Sequence, residues 1–110
     1  MKIDYVEFPA TDLEATKAFY GAAFGWTFQD WGPEYMGISD AGLKGGFRNT
    51  GEPASRGGTV VILHTEDLDA AEKAVRDAGG KILDRLDFPG GRRFHFADPS
   101  GNELAVWTEA

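Results

Sequence analysis

The stretch Thr11–Trp26, T-D-L-E-A-T-K-A-F-Y-G-A-A-F-G-W, decides how the 110-residue chain is read. Glu66–Lys81, E-D-L-D-A-A-E-K-A-V-R-D-A-G-G-K, echoes it at a constant offset. Asp12 and Leu13 return as Asp67 and Leu68, Ala15 as Ala70, Ala23 as Ala78 and Gly25 as Gly80, each pair 55 apart (67 − 12, 80 − 25). Leu13, Tyr20 and Ala23 recur as Leu68, Val75 and Ala78, a spacing of i, i+7, i+10 that lines one face of an amphipathic helix. Upstream, Val6 and Phe8 map to Val61 and Leu63, so a strand precedes each helix. The chain reads as two copies of one unit, with a cleft between the copies as the place for function.

Working outward from the helices gives the rest of each unit. Lys2–Phe8 alternates as a strand, and Pro9 is expected to end it, because proline cannot donate to a ladder. Thr11 and Glu14 read as a capping box, and Gly25 as the left-handed stop of a helix running to Phe24. Strands follow at Trp26–Trp31, Tyr35–Ser39 and Leu43–Arg48, separated by turns at Gly32-Pro33 and Asp40–Gly42. In the second half a strand at Thr59–Thr65 leads to a helix at Leu68–Ala78, closed by Gly79-Gly80. Strands at Lys81–Phe88, Arg92–Phe96 and Asn102–Trp107 complete it. The order is β-α-β-β-β twice, an α+β fold in one domain, residues 1–110: module one 1–50, linker 51–58, module two 59–110.

Composition narrows the function classes. The net charge of −7 is spread over both halves, four basic against eight acidic residues in 1–55 and seven against ten in 56–110. Phosphate neutralisation needs clustered Lys and Arg, and the lone pair Arg92-Arg93 does not supply it, so nucleic acid is not an expected partner. With no Cys, disulfides, thiolate chemistry and Cys-ligated metals are excluded. No apolar run approaches the ~20 residues of a membrane span, and no signal segment is read at the start, so the cytoplasm is the expected location and the membrane is not a partner.

Duplicated βαβββ halves, F-Y-x-x-x-F-G-W at Phe19–Trp26, G-G-F at Gly45–Phe47 and D-P-S-G-N-E-L at Asp98–Leu104 resemble the vicinal oxygen chelate superfamily. That superfamily includes glyoxalase I, extradiol dioxygenases, fosfomycin-resistance enzymes and bleomycin-resistance proteins. The resemblance implies two modules forming a curved mixed sheet around a cleft, with helices on the outer face. It also implies pairing into a homodimer, as small members usually pair. Metal-dependent relatives place four His or Glu ligands in the cleft; position by position these fall on Tyr5, Val60, Ala105 and at or beside Gly46. Val, Ala and Gly offer no lone pair and Tyr is a poor ligand for the divalent ions concerned, so a protein without metal or other cofactor is expected.

With Tyr5, Val60 and Ala105 in the cleft as the resemblance implies, alternation along the strands sets Ile3, Glu7, Ile62, His64, Glu103 and Trp107 on the same side. The same register sends Val6, Phe8, Val61, Leu63, Leu104 and Val106 towards the helices. The expected ligand-lining set is Tyr5, Glu7, Tyr35, Phe47, Ile62, His64, Glu103 and Trp107, an aromatic-plus-carboxylate surface suited to a flat or cationic small molecule. The alternative is a lyase or isomerase of the glyoxalase type, with Glu7, His64 and Glu103 converging as an acid–base or metal group. Against it stands the plain reading in which His64 makes a strand-end hydrogen bond and both carboxylates face solvent. His95, between Phe94 and Phe96, is expected on the exposed face.

Overall fold

The apolar positions that repeat in sequence pack into one core shared by both modules. A computed structural model describes all 110 residues, Met1–Ala110. Module one is β1 (Val6–Ala10), α1 (Leu13–Phe24), β2 (Thr27–Asp30), β3 (Tyr35–Ser39) and β4 (Gly45–Asn49). Module two is β5 (Val61–His64), α2 (Leu68–Asp77), β6 (Lys81–Phe88), β7 (Gly91–Ala97) and β8 (Glu103–Glu109). The strands form two four-stranded sheets of the same order, β1-β4-β3-β2 and β5-β8-β7-β6. In each, the first and last strands of the module pair in parallel and the others antiparallel. The duplication therefore extends from the helix N-caps to the strand order.

Both helices start on an aspartate. Asp12 accepts from the Ala15 N–H at 3.0 Å and Asp67 from the Ala70 N–H at 3.0 Å, with the cap residue extended in each case. Thr11 is not the cap: its own N–H donates to Ser100 Oγ at 2.9 Å, which ties the helix start to module two. Gly25 closes α1 at φ 73°, as expected. In α2 the left-handed glycine is Gly79, at φ 97°, and not Gly80. Gly80 serves packing, because a Cβ there would press on Val75 and Phe19, where the two modules meet.

Pro9 does not end β1 but sits inside it, paired with Arg48. β1 is an edge strand, and proline is tolerated there because no ladder bond is lost. The core holds Phe19, Tyr20, Trp26, Met36 and Phe47 from module one with Val75, Phe94, Phe96, Leu104 and Val106 from module two. Tyr20 stacks on Trp26 with centroids 4.8 Å apart and planes 3° off parallel, and Phe19 reaches Phe96 across the module boundary. Each such aromatic contributes about 1.5–3 kcal/mol by leaving water. The helices thus cover one face of each sheet and leave the other free of helix. No helix is long and apolar enough to cross a membrane.

Candidate functional site

The expected site residues fall on the two helix-free sheet faces. On the first sheet, the row Glu7–Gly46–Gly37–Gln29 crosses all four strands and its side chains point away from α1. Tyr5 and Tyr35 join hydroxyls at 2.6 Å over this face, and Arg48 Nε donates to Glu7 at 3.3 Å. Burial, then hydrogen bonding to Tyr5 and to Glu7, raises the pKa of Tyr35 well above that of an ordinary phenol. A Cβ at position 46 would collide with both tyrosine hydroxyls, so glycine there makes room for the pair. Phe47 does not belong to this surface. Alternation turns it to the other side, where it is fully buried against Phe8 and Tyr20.

On the second sheet the rows Ile62–Ala105–His95–Asp84 and His64–Trp107–Arg93–Leu86 lie side by side. His64 Nε2–H donates to the Glu109 carboxylate at 2.9 Å, and its ring meets Trp107 edge-on, centroids 5.1 Å apart. Trp107 in turn lies 6.3 Å from Phe88. Glu103 is almost covered. Its burial alone would push its pKa up, but donors from His95, Arg56 and the Gly57 N–H outweigh that and hold it below the usual carboxylate range. His95 is not exposed as its alternation promised: it does point away from the core, yet it is only 6% accessible and bonds Glu103 through Nδ1 at 2.7 Å.

Glu7, His64 and Glu103 therefore do not converge within one chain. Each has its own partner, Arg48, Glu109 and His95 with Arg56, and no hydrogen bond, ion pair or aromatic contact links the first sheet's set to the second's. The four places where the resemblance puts metal ligands hold Tyr5, Gly46, Val60 and Ala105. Ala105 is fully buried, and the space at Gly46 is taken by tyrosine hydroxyls. No three His, Asp or Glu side chains are grouped to hold a metal ion. Gly46, Val60 and Ala105 offer no side-chain lone pair to a divalent cation.

A concavity also lies elsewhere. A groove of about 820 Å³ runs between β1 with the end of α1 and β5 with α2, lined by Val6, Phe8, Phe24, Val61, Leu63 and the alanines of α2. Of the expected residues it touches only Ile62 and His64. It is apolar and gathers few groups able to orient a ligand, whereas the helix-free faces carry the aromatic and ionisable side chains. Sequence reading missed Arg56, Asp84, Arg93 and His95, all on or over the second face. The alternation of β6 and β7 was the available signal for the last three.

The Glyoxalase/Bleomycin resistance protein/Dioxygenase superfamily matches residues 2–106. A glyoxylase-like domain-containing protein of Didymella fabae is 30% identical over 124 residues, spanning 97% of this chain and 93% of that one. The fosfomycin resistance protein FosX of Listeria monocytogenes superposes with a TM-score of 0.85 at 15% identity, covering 100% of this chain and 94% of its own. A glyoxalase-related enzyme of Fulvimarina pelagi gives 0.81 at 22% identity, covering 99% and 88%. At such identities the two structures speak for the fold alone. With the duplicated βαβββ modules and the match over residues 2–106, the chain belongs to the Glyoxalase/Bleomycin resistance protein/Dioxygenase superfamily.

Proposed function

We propose that this protein binds a small organic molecule without a divalent metal, on the helix-free faces of its sheets, and that two chains pair to complete the site. The observation that carries the reading is the exchange at the ligand positions. Lone-pair donors are missing at Gly46, Val60 and Ala105, while Tyr5, Glu7 and Tyr35 on one face and Ile62, His64 and Trp107 on the other stand ready for stacking and hydrogen bonding. An aromatic or cationic ligand suits such a surface.

Pairing is supported by where the exposed apolar side chains lie. Trp31 is 68% and Ile62 46% accessible, and Tyr5, Leu86 and Phe88 are exposed on the same two faces. Set against a second copy, the first face of one chain and the second face of its partner enclose a wet, aromatic cleft that neither chain forms alone. The alternative lyase or isomerase reading loses weight, because its three residues are engaged by three separate partners.

Light scattering tests the assembly: two chains of 11.9 kDa give about 24 kDa. Ile62→Glu should return the mass to that of one chain. An aromatic cation should quench tryptophan fluorescence in the parent and less in Trp107→Ala. Stoichiometric Ni, Zn, Mn or Fe in the purified protein would overturn the metal-free reading.

A further inference from the structure

On the second helix-free face a linker side chain, Arg56, bridges two carboxylates, Asp84 and Glu103, and His95 is bonded to the second of them. His95 lies on β7 directly beside Asp84 of β6, and Glu103 stands on β8 one step along. Arg56 Nε donates to Glu103 Oε2 at 3.2 Å while Arg56 Nη2 pairs with Asp84. To reach both β8 and β6 its guanidinium must pass over β7, where His95 sits. Glu103 is ionised and can only accept, so the 2.7 Å contact has His95 Nδ1–H donating to it. With Nδ1–H committed to Glu103, an uncharged imidazole carries its lone pair on Nε2. That atom is buried and has no hydrogen-bond partner, in a residue only 6% accessible. An unsatisfied polar atom at such depth is uncommon and calls for an account.

We infer that His95, Glu103 and Asp84 form a binding site for a planar cation, an amidinium or guanidinium, and that Arg56 occupies it as an intramolecular stand-in. Two carboxylates and an imidazole lone pair match the fork of donors such a group carries. Arg56 fills the carboxylate positions but leaves Nε2 unsatisfied. A free ligand is not tied to the linker backbone and can satisfy all three acceptors. Trp107 and Phe88 border the same face and offer rings to the apolar part of the ligand. Arg56 is half-exposed in the linker, so its displacement leaves the core untouched. The inference rests on the small-molecule reading above and names the ligand's chemistry.

Benzamidine is the probe, titrated by calorimetry at pH 8, where an ordinary imidazole is neutral. A tethered side chain competes at an effective concentration of the order of millimolar, so the parent should bind weakly. Arg56→Ala should bind at least ten-fold more tightly, and Arg56→Gln should do the same while keeping a polar, uncharged side chain. Adding Glu103→Gln to Arg56→Ala should reverse the gain. Benzoate should bind neither protein. Only two histidines are present, so their imidazole NMR signals resolve the site: benzamidine should move those of His95 more than those of His64, which meets only the edge of Trp107. Equal affinity in parent and both Arg56 variants, or benzoate binding as well as benzamidine, overturns the inference. If benzamidine quenches fluorescence through Trp107 with no effect of Arg56, the small-molecule reading stands and this site falls. If no variant at Arg56 or Trp107 changes any binding, both fall.

Discussion

Tyr20 Oη donates to Asp98 Oδ2 at 2.9 Å, joining α1 of module one to the turn before β8 of module two. The two residues belong to the two most recognisable motifs of the sequence, F-Y-x-x-x-F-G-W and D-P-S-G-N. Asp98 also accepts from the Ser100 and Asn102 N–H groups and from Asn102 Nδ2, each at 2.9 Å, and Asn102 Nδ2 reaches the Pro9 carbonyl at 2.8 Å. The motifs are a hinge-pin between modules rather than chemistry. Burial first, and Asp98 second, raise the Tyr20 pKa well above that of a free phenol.

Tyr20→Phe should therefore lower the unfolding free energy by about 1.5–3 kcal/mol, the range for a hydrogen bond to a charged group. Asp98→Ala should cost more, since it leaves two buried N–H groups without an acceptor. Urea unfolding with an unchanged m-value checks both. A Tyr20→Phe protein as stable as the parent would show that packing alone joins the modules.

The Tyr5–Tyr35 pair makes a spectroscopic prediction. Tyr35 keeps its proton beyond the ordinary value of 10.0 because it is desolvated and bonded to Tyr5 and Glu7. Tyr5→Phe should bring its ionisation back towards that value, seen in the ultraviolet titration near pH 10–12. The sign for stability follows: a raised folded pKa favours the fold below the unfolded value and loses that contribution as pH climbs through the folded one. The parent should thus lose more stability in alkali than Tyr5→Phe. Gly46→Ala should break the same pair by displacing flexible side-chain ends, with little change in melting temperature at neutral pH.

Acid behaviour should show at Glu72. Bonds from Arg85 foremost, then Arg76, outweigh its desolvation and hold its carboxyl below the ordinary value of 4.5. A depressed folded pKa stabilises above the unfolded value and is lost as pH falls from about 4.5 downward. Glu72→Gln should flatten that part of the stability–pH curve and cost up to about 1 kcal/mol at neutral pH, since the arginines are well exposed. Salt at 1 M should shrink the difference between the two proteins. A parallel pair of curves would refute the assignment.

The duplication is legible in the order of residues alone. Asp12 and Asp67 cap equivalent helices, β3 and β6 lie where read, and Leu104 and Val106 turn inward, because caps and alternation are local and each copy repeats them. Tertiary structure decided everything that depends on a partner far along the chain. Pro9 stays in its strand only because β1 is an edge, and Thr11 gives up its cap to reach Ser100, 89 residues on. Phe47 left the site for the core because strand alternation turns Gly46 to the tyrosines and its neighbour Phe47 to the opposite, helix-covered face. His95 reads as an exposed residue between two phenylalanines, but a linker arginine bridging Asp84 and Glu103 closes over it. Burial of that kind is set by which strands become neighbours and what crosses them, and no local pattern in the sequence encodes it.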